Sequence, residues 1–215
     1  MKHKVGARLL EKIVNRKIAP SKDLKIVEGI KNVYYETNYL KRNSGEYSSI
    51  NRSWYFFPWN KDEIGIFELV QPIFNNVLLL NNQDLLKTIS NTPSKGVVER
   101  LHLINYPINS GQISLHRDPV NISQVNFGIY LSEFGVNYGD GGFYVLEGNN
   151  EIVYLDQQVR FCDMVLWFPG LPHGVSTITP TQLEHRTNGR YFLSMSLIES
   201  HHAKDRIPAV GVEIL

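Results

Sequence analysis

The chain has 215 residues, 42% of them hydrophobic and 11% aromatic, and 22 Lys+Arg against 21 Asp+Glu give a formal net charge of +1. That suffices for the core of one domain with elaborations and fits two domains less well; the near-neutral balance argues against a protein that grips nucleic acid mainly through phosphates. The one cysteine, Cys162, excludes an internal disulfide and fits a reducing, cytoplasmic compartment, and no apolar run approaches the length of a membrane span.

The first twenty residues, "MKHKVGARLLEKIVNRKIAP", are basic, with Leu9, Leu10, Ile13 and Val14 at helical spacing. They lack the long apolar core and small-residue cleavage site of a secretion signal, so the expectation is a solvated first helix docked by its apolar stripe. Helical patterns dominate up to residue 95, at about 5–17, 22–31, 64–80 and 83–91. "FELVQPIFNNVLLL" (67–80) is broken by polar residues and Pro72, and reads as a buried helix. Residues 46–60 are dense in aromatics (Trp54, Tyr55, Phe56, Phe57, Trp59) and read as core in part, as a strand, or as a lid over a site. "NTPS" (91–94) has the composition of a loop and closes this half.

From residue 96 the pattern changes to short strands with turn punctuation, at 97–106, 112–118, 123–131, 142–147, 150–155, 162–168, 173–178 and 190–199. Strands at this spacing imply a sandwich or barrel. In the last, "RYFLSMSLIE", Tyr191, Leu193, Met195 and Leu197 share one face, expected to pack under the N-terminal helices. Arg190, Phe192, Ser194 and Ser196 share the other, and a cation with two hydroxyls makes sense on a barrel wall if something polar binds inside. No internal repeat is found. The organisation expected is one domain over 1–215: a helical, aromatic half (1–95), a β core (96–200) and a C-terminal tail (201–215).

Strand alternation in "GQISLHRDPV" (111–120) puts Gln112, Ser114, His116 and Asp118 on one face and turns Arg117 outward; Pro119 ends the pairing. A His and a carboxylate two apart can be two metal ligands, and a third must come from elsewhere. Of the other histidines, His3, His201 and His202 lie near the ends, His185 sits in a polar loop, and His102 in the apolar "RLHLINY" is expected to pack with its ring satisfied. His173 follows an apolar strand and a Pro-Gly turn and precedes a glycine, a good position for a ligand. Two histidines and one carboxylate leave coordination positions open, the arrangement of the non-haem Fe(II) facial triad. Asp118 itself argues against a halogenase, where a halide takes the carboxylate's place.

Together, "HRD" (116–118), "GDGGFYVLEG" (139–148), "FCDMVLWFPGLPHGV" (161–175) and "TNGRYFLSMSL" (187–197) resemble the Fe(II)/2-oxoglutarate-dependent dioxygenases over about residues 97–200. The resemblance implies a mainly β fold, a double-stranded β-helix (jelly roll, cupin-like) with N-terminal helices braced on its major sheet. It implies Fe(II), the cosubstrate 2-oxoglutarate and O2, with His116, Asp118 and His173 as iron ligands and catalytic centre. Arg190 matches the arginine that pairs with the distal carboxylate of 2-oxoglutarate, a role suited to a guanidinium fork. Tyr106 matches an aromatic hydroxyl that contacts 2-oxoglutarate, with Asn105 the alternative; Asn126, Tyr130 and Ser194 are further inward polar candidates.

The chain departs from the family pattern in two places. The interval from His173 to Arg190 is longer than usual and carries Arg186, a competitor for the carboxylate role, and Phe192 stands where some members have a serine. The activity implied is hydroxylation, desaturation or cyclisation of a small molecule such as an amino acid or natural-product intermediate. The rivals are a protein side-chain hydroxylase of the same family and a non-oxygenase cupin-type metal or binding protein.

Overall fold

A computed structural model describes residues 34–40, 48–58, 65–84, 97–148, 150–182, 189–199 and 210–211. The expected helices at 5–17 and 22–31, most of that at 83–91, and Trp59, His185 and Arg186 lie outside the described residues. The elements in chain order are β1 (Tyr34–Leu40), β2 (Ser49–Phe56), α1 (Ile66–Leu80), β3 (Val97–Tyr106), β4 (Gln112–Arg117), β5 (Asn126–Tyr130), β6 (Asp140–Leu146), β7 (Ile152–Tyr154), β8 (Met164–Trp167), β9 (His173–Thr179), β10 (Arg190–Glu199) and β11 (Val210–Gly211). A 3-10 turn at Asp156–Gln158 follows β7.

The strands form one curled, antiparallel sheet in the order β7-β6-β9-β4-β2-β3-β10-β5-β8, with β1 added to β2 and β11 to β4. This is consistent with a jelly-roll, cupin-like fold. The expected bounds 97–106 and 190–199 match β3 and β10. Others are trimmed for local reasons: β8 starts late because Phe161–Cys162 is a turn in which Cys162 takes φ 68. The aromatic stretch proves to be strand β2, so 49–56 is sheet and not lid; Trp54, Tyr55, Phe56 and Phe57 are buried.

Two apolar clusters lie on opposite faces of the sheet. α1 presents Ile66, Val70, Phe74, Val77 and Leu78 at helical spacing to Leu101 and Leu103 of β3, Phe127 and Ile129 of β5, and the expected row Tyr191, Leu193, Met195 and Leu197 of β10. Each such side chain, fully buried, contributes about 1.5–3 kcal/mol. The second cluster fills the inside of the curl with Ile104, Tyr106, Tyr130, Tyr138, Phe143, Val145, Val175, Ile178 and Phe192. The inner face of β10 therefore belongs to a lined interior, as its polar residues require. Among the described residues no helix is long and apolar enough to cross a membrane.

Candidate metal centre

His116 is the last residue but one of β4 and His173 begins β9; the two are direct cross-strand partners, and their ring centroids lie 4.4 Å apart. Each ring is held in the same way. His116 Nδ1 bonds the Ser114 carbonyl at 2.9 Å, and His173 Nδ1 bonds the Leu171 carbonyl at 2.8 Å. A neutral ring that donates through Nδ1 keeps the lone pair on Nε2 for a metal, an orientation typical of ligating histidines.

Asp118 follows β4 directly, and its backbone N–H donates to the Pro169 carbonyl at 2.9 Å, which ties the ligand loop to the turn before β9. Its carboxylate lies 3.8 Å from His116 Nε2 and 3.5 Å from His173 Nε2. Asn126, at the start of β5, donates from Nδ2 to Asp118 Oδ2 at 2.7 Å. One ligand atom from each of the three residues falls within 4.8 Å of the others.

The electrostatics fit a cation. Burial, then the neighbouring His173, lower the His116 pKa to about 4, which leaves the imidazole neutral near pH 7. Burial pushes the Asp118 carboxyl up, but the hydrogen bond and charge of His173, then His116 and Arg100, outweigh it and leave it below its ordinary value. Two imidazole Nε2 atoms and a carboxylate converging on one point suit a divalent transition metal.

The cluster opens on a cavity of about 140 Å3, lined also by Asn51, Arg100, His102, Tyr106, Trp167, Arg190, Phe192 and Ser194. A cavity near that size takes up a ring as large as benzene. Tyr106 and Ser194 both line this cavity. Asn105, next to Tyr106, is fully buried and absent from the lining, because strand alternation turns it to the other face of β3. Asn126 reaches the site through Asp118, and Tyr130 is buried against Arg190, its ring 5.1 Å from the guanidinium carbon. Gln112 and Ser114, expected on the same face of β4 as His116, do not line the cavity: the register of β4 slips between Ile113 and His116, Ile113 lines the wall, and Ser114 bonds Ser48. Arg117 is exposed and bonds the Gly170 carbonyl.

Arg190 lines the cavity from the start of β10, paired across the strands with Tyr106. It is engaged: Nε donates to Asp156 Oδ2 at 2.5 Å and Nη2 to Asp156 Oδ1 at 3.0 Å. Burial disfavours the Arg190 charge, but Asp156 more than offsets it, and the guanidinium stays cationic. Asp156 was not foreseen from the sequence. Neither was the wall made by His102, whose Nε2 lies 2.8 Å from Ser53 Oγ while its ring stacks on Tyr55. Trp167, expected as core, brings a buried indole N–H with no hydrogen-bond partner among the described residues to the cavity wall, a donor for a ligand oxygen.

No protein-family model and no curated protein sequence matches the chain. Solved structures do. A prolyl hydroxylase from Trichoplax adhaerens, in complex with a hypoxia inducible factor oxygen degradation domain peptide fragment, superposes with a TM-score of 0.50 at 15% identity, covering 94% of this chain and 81% of that one. A Pseudomonas putida prolyl-4-hydroxylase gives a TM-score of 0.51 at 14% identity, covering 92% and 86%. By fold, the chain stands with these prolyl hydroxylases.

Proposed function

We propose that the protein is a non-haem Fe(II)- and 2-oxoglutarate-dependent oxygenase that hydroxylates, desaturates or cyclises a small molecule such as an amino acid or natural-product intermediate. The observation that carries this is the convergence of His116, Asp118 and His173 on a cavity whose wall also holds Arg190. Bound there, Fe(II) with 2-oxoglutarate and O2 supplies the oxidising chemistry.

The chain's own residues do the rest. His116 and His173 hold the metal through Nε2, their rings fixed by the Ser114 and Leu171 carbonyls. Asn126 keeps the Asp118 carboxylate turned to the same point. Arg190 offers the charge that a distal carboxylate needs, in a wall made dry by Phe143, Trp167, Val175 and Phe192. His102, Asn51 and Ser194 give the remaining wall its polar contacts. The cavity's size favours a small substrate, and a cytoplasmic setting remains the expectation from the cysteine content.

A protein side chain is the second reading. One structural neighbour is named for its peptide complex, and Val120 and Phe168 stand exposed beside the metal ligands on the 118–122 and 168–171 loops. The deciding assay is succinate release from 2-oxoglutarate with Fe(II) and O2, across amino acids and peptides. Turnover stimulated by a free amino acid supports the first reading, stimulation by peptides alone supports the second, and no Fe(II) binding with no turnover rejects both.

A further inference from the structure

We propose that Asp156 is the resident counter-ion of Arg190 and limits how tightly that arginine holds a ligand carboxylate; this rests on Arg190 being the 2-oxoglutarate anchor. Both partners are closed off, the Arg190 side chain 1% and the Asp156 side chain 0% exposed. A guanidinium carries five N–H donors in one plane. The pairing through Nε and Nη2 spends two of them on Asp156. The Nη1/Nη2 edge is left for a second carboxylate, taken end-on. Rings of Tyr130, Phe192 and Tyr106, at 5.1, 5.1 and 5.7 Å from the guanidinium carbon, hold the plane in place.

The seat for Asp156 is built from several elements. Tyr138, fully buried, donates its hydroxyl to Asp156 Oδ2 at 2.6 Å. Gly142 on β6 takes φ 114, and a Cβ there would overlap the Asp156 carboxylate. The register of β6 against β9 slips between Asp140 and Gly142. A bulge, a glycine and a tyrosine hydroxyl thus converge on one acid that none of the metal ligands touches.

The consequence is electrostatic. When a ligand carboxylate arrives, one cation faces two anions in a buried site, and the two anions repel. Asp156 therefore stabilises the ligand-free protein and weakens the grip on the distal carboxylate. Succinate, the product of 2-oxoglutarate decarboxylation, keeps that carboxylate, so the same residue favours its release.

The test is calorimetric binding of 2-oxoglutarate, succinate and pyruvate to the Mn(II)-loaded protein without O2. Pyruvate has the 2-oxo acid group but no distal carboxylate. Asp156→Asn is expected to bind 2-oxoglutarate and succinate about tenfold tighter or more, with pyruvate moved less than about twofold. Unchanged or weaker 2-oxoglutarate binding, or an equal shift for pyruvate, overturns the proposal. Tyr138→Phe decides the matter if Asp156→Asn does not fold. It removes the hydroxyl that draws charge from Asp156, so 2-oxoglutarate binding should weaken about threefold with pyruvate unchanged; unchanged or tighter binding overturns the proposal. Wild type that loads Mn(II) but binds neither oxo acid refutes the oxygenase reading and the counter-ion role with it. Wild type that binds 2-oxoglutarate, with variants of the wrong sign, refutes the counter-ion role alone.

Discussion

His116 and His173 face each other across β4 and β9 as register partners, and each fixes its ring on the carbonyl two residues before it. The antiparallel ladder alone therefore sets the spacing of two proposed ligands. Asp118, one residue past the end of β4, has no ladder to hold it and depends on Pro169 and Asn126.

That dependence predicts the effect of Asn126→Ala. Losing the amide that donates to Asp118 Oδ2 should lower metal affinity by about 10–100-fold. The fold should persist, since Asn126 makes its sheet contacts through the backbone of β5. Metal titration followed alongside thermal unfolding separates the two effects.

Arg190→Met leaves Asp156 buried without its cation. Breaking such a pair from one side should cost about 3–5 kcal/mol of stability. Adding Asp156→Leu should return much of it, because two apolar groups no longer carry an uncompensated charge. Chemical denaturation of both variants measures this, and an additive loss in the double variant would show that the pair is not energetically coupled.

Two glycines with positive φ give a matched comparison. At Gly135 (φ 76) nothing lies near an added Cβ, so Gly135→Ala should cost about 1–2 kcal/mol of backbone strain. At Gly142 the same change also strikes Asp156, and the loss should reach about 4 kcal/mol. Equal destabilisation would mean that Asp156 moves aside freely.

His102 predicts a pH dependence. Burial, then the charge of Arg100, hold its pKa well below the ordinary value, with Asp118 opposing weakly. A histidine harder to protonate in the folded state than in the unfolded one costs nothing above pH 6.5 and destabilises the fold progressively below it. His102→Gln should flatten part of the stability loss between pH 6.5 and 5. An unchanged acid slope in that variant would place the acid sensitivity elsewhere.

Much of this was legible in residue order. The alternation of "RYFLSMSLIE" separates the helix-packed row from the cavity row, and β10 keeps both. His116, Asp118 and His173, which the fold brings together, could be picked out because histidines and a carboxylate stand out chemically at the ends of apolar strands. Asp156 could not. It sits in "YLDQQ", a polar stretch like any surface loop, and its meaning comes from Arg190, Tyr138 and Gly142, which lie far away in the chain. His102 packs with its ring satisfied by Ser53 and Tyr55, as the apolar strand implies, but its place on the cavity wall shows only in the fold, where β3 turns its even-numbered residues, from Arg100 to Tyr106, toward the cavity.

The most direct test is an anaerobic Fe(II) titration of the wild type and of His116→Ala, Asp118→Ala and His173→Ala, each checked for fold by circular dichroism. The account predicts one tightly bound iron per wild-type chain and its loss in every folded variant. Tight iron binding that survives Asp118→Ala and His173→Ala would contradict the site.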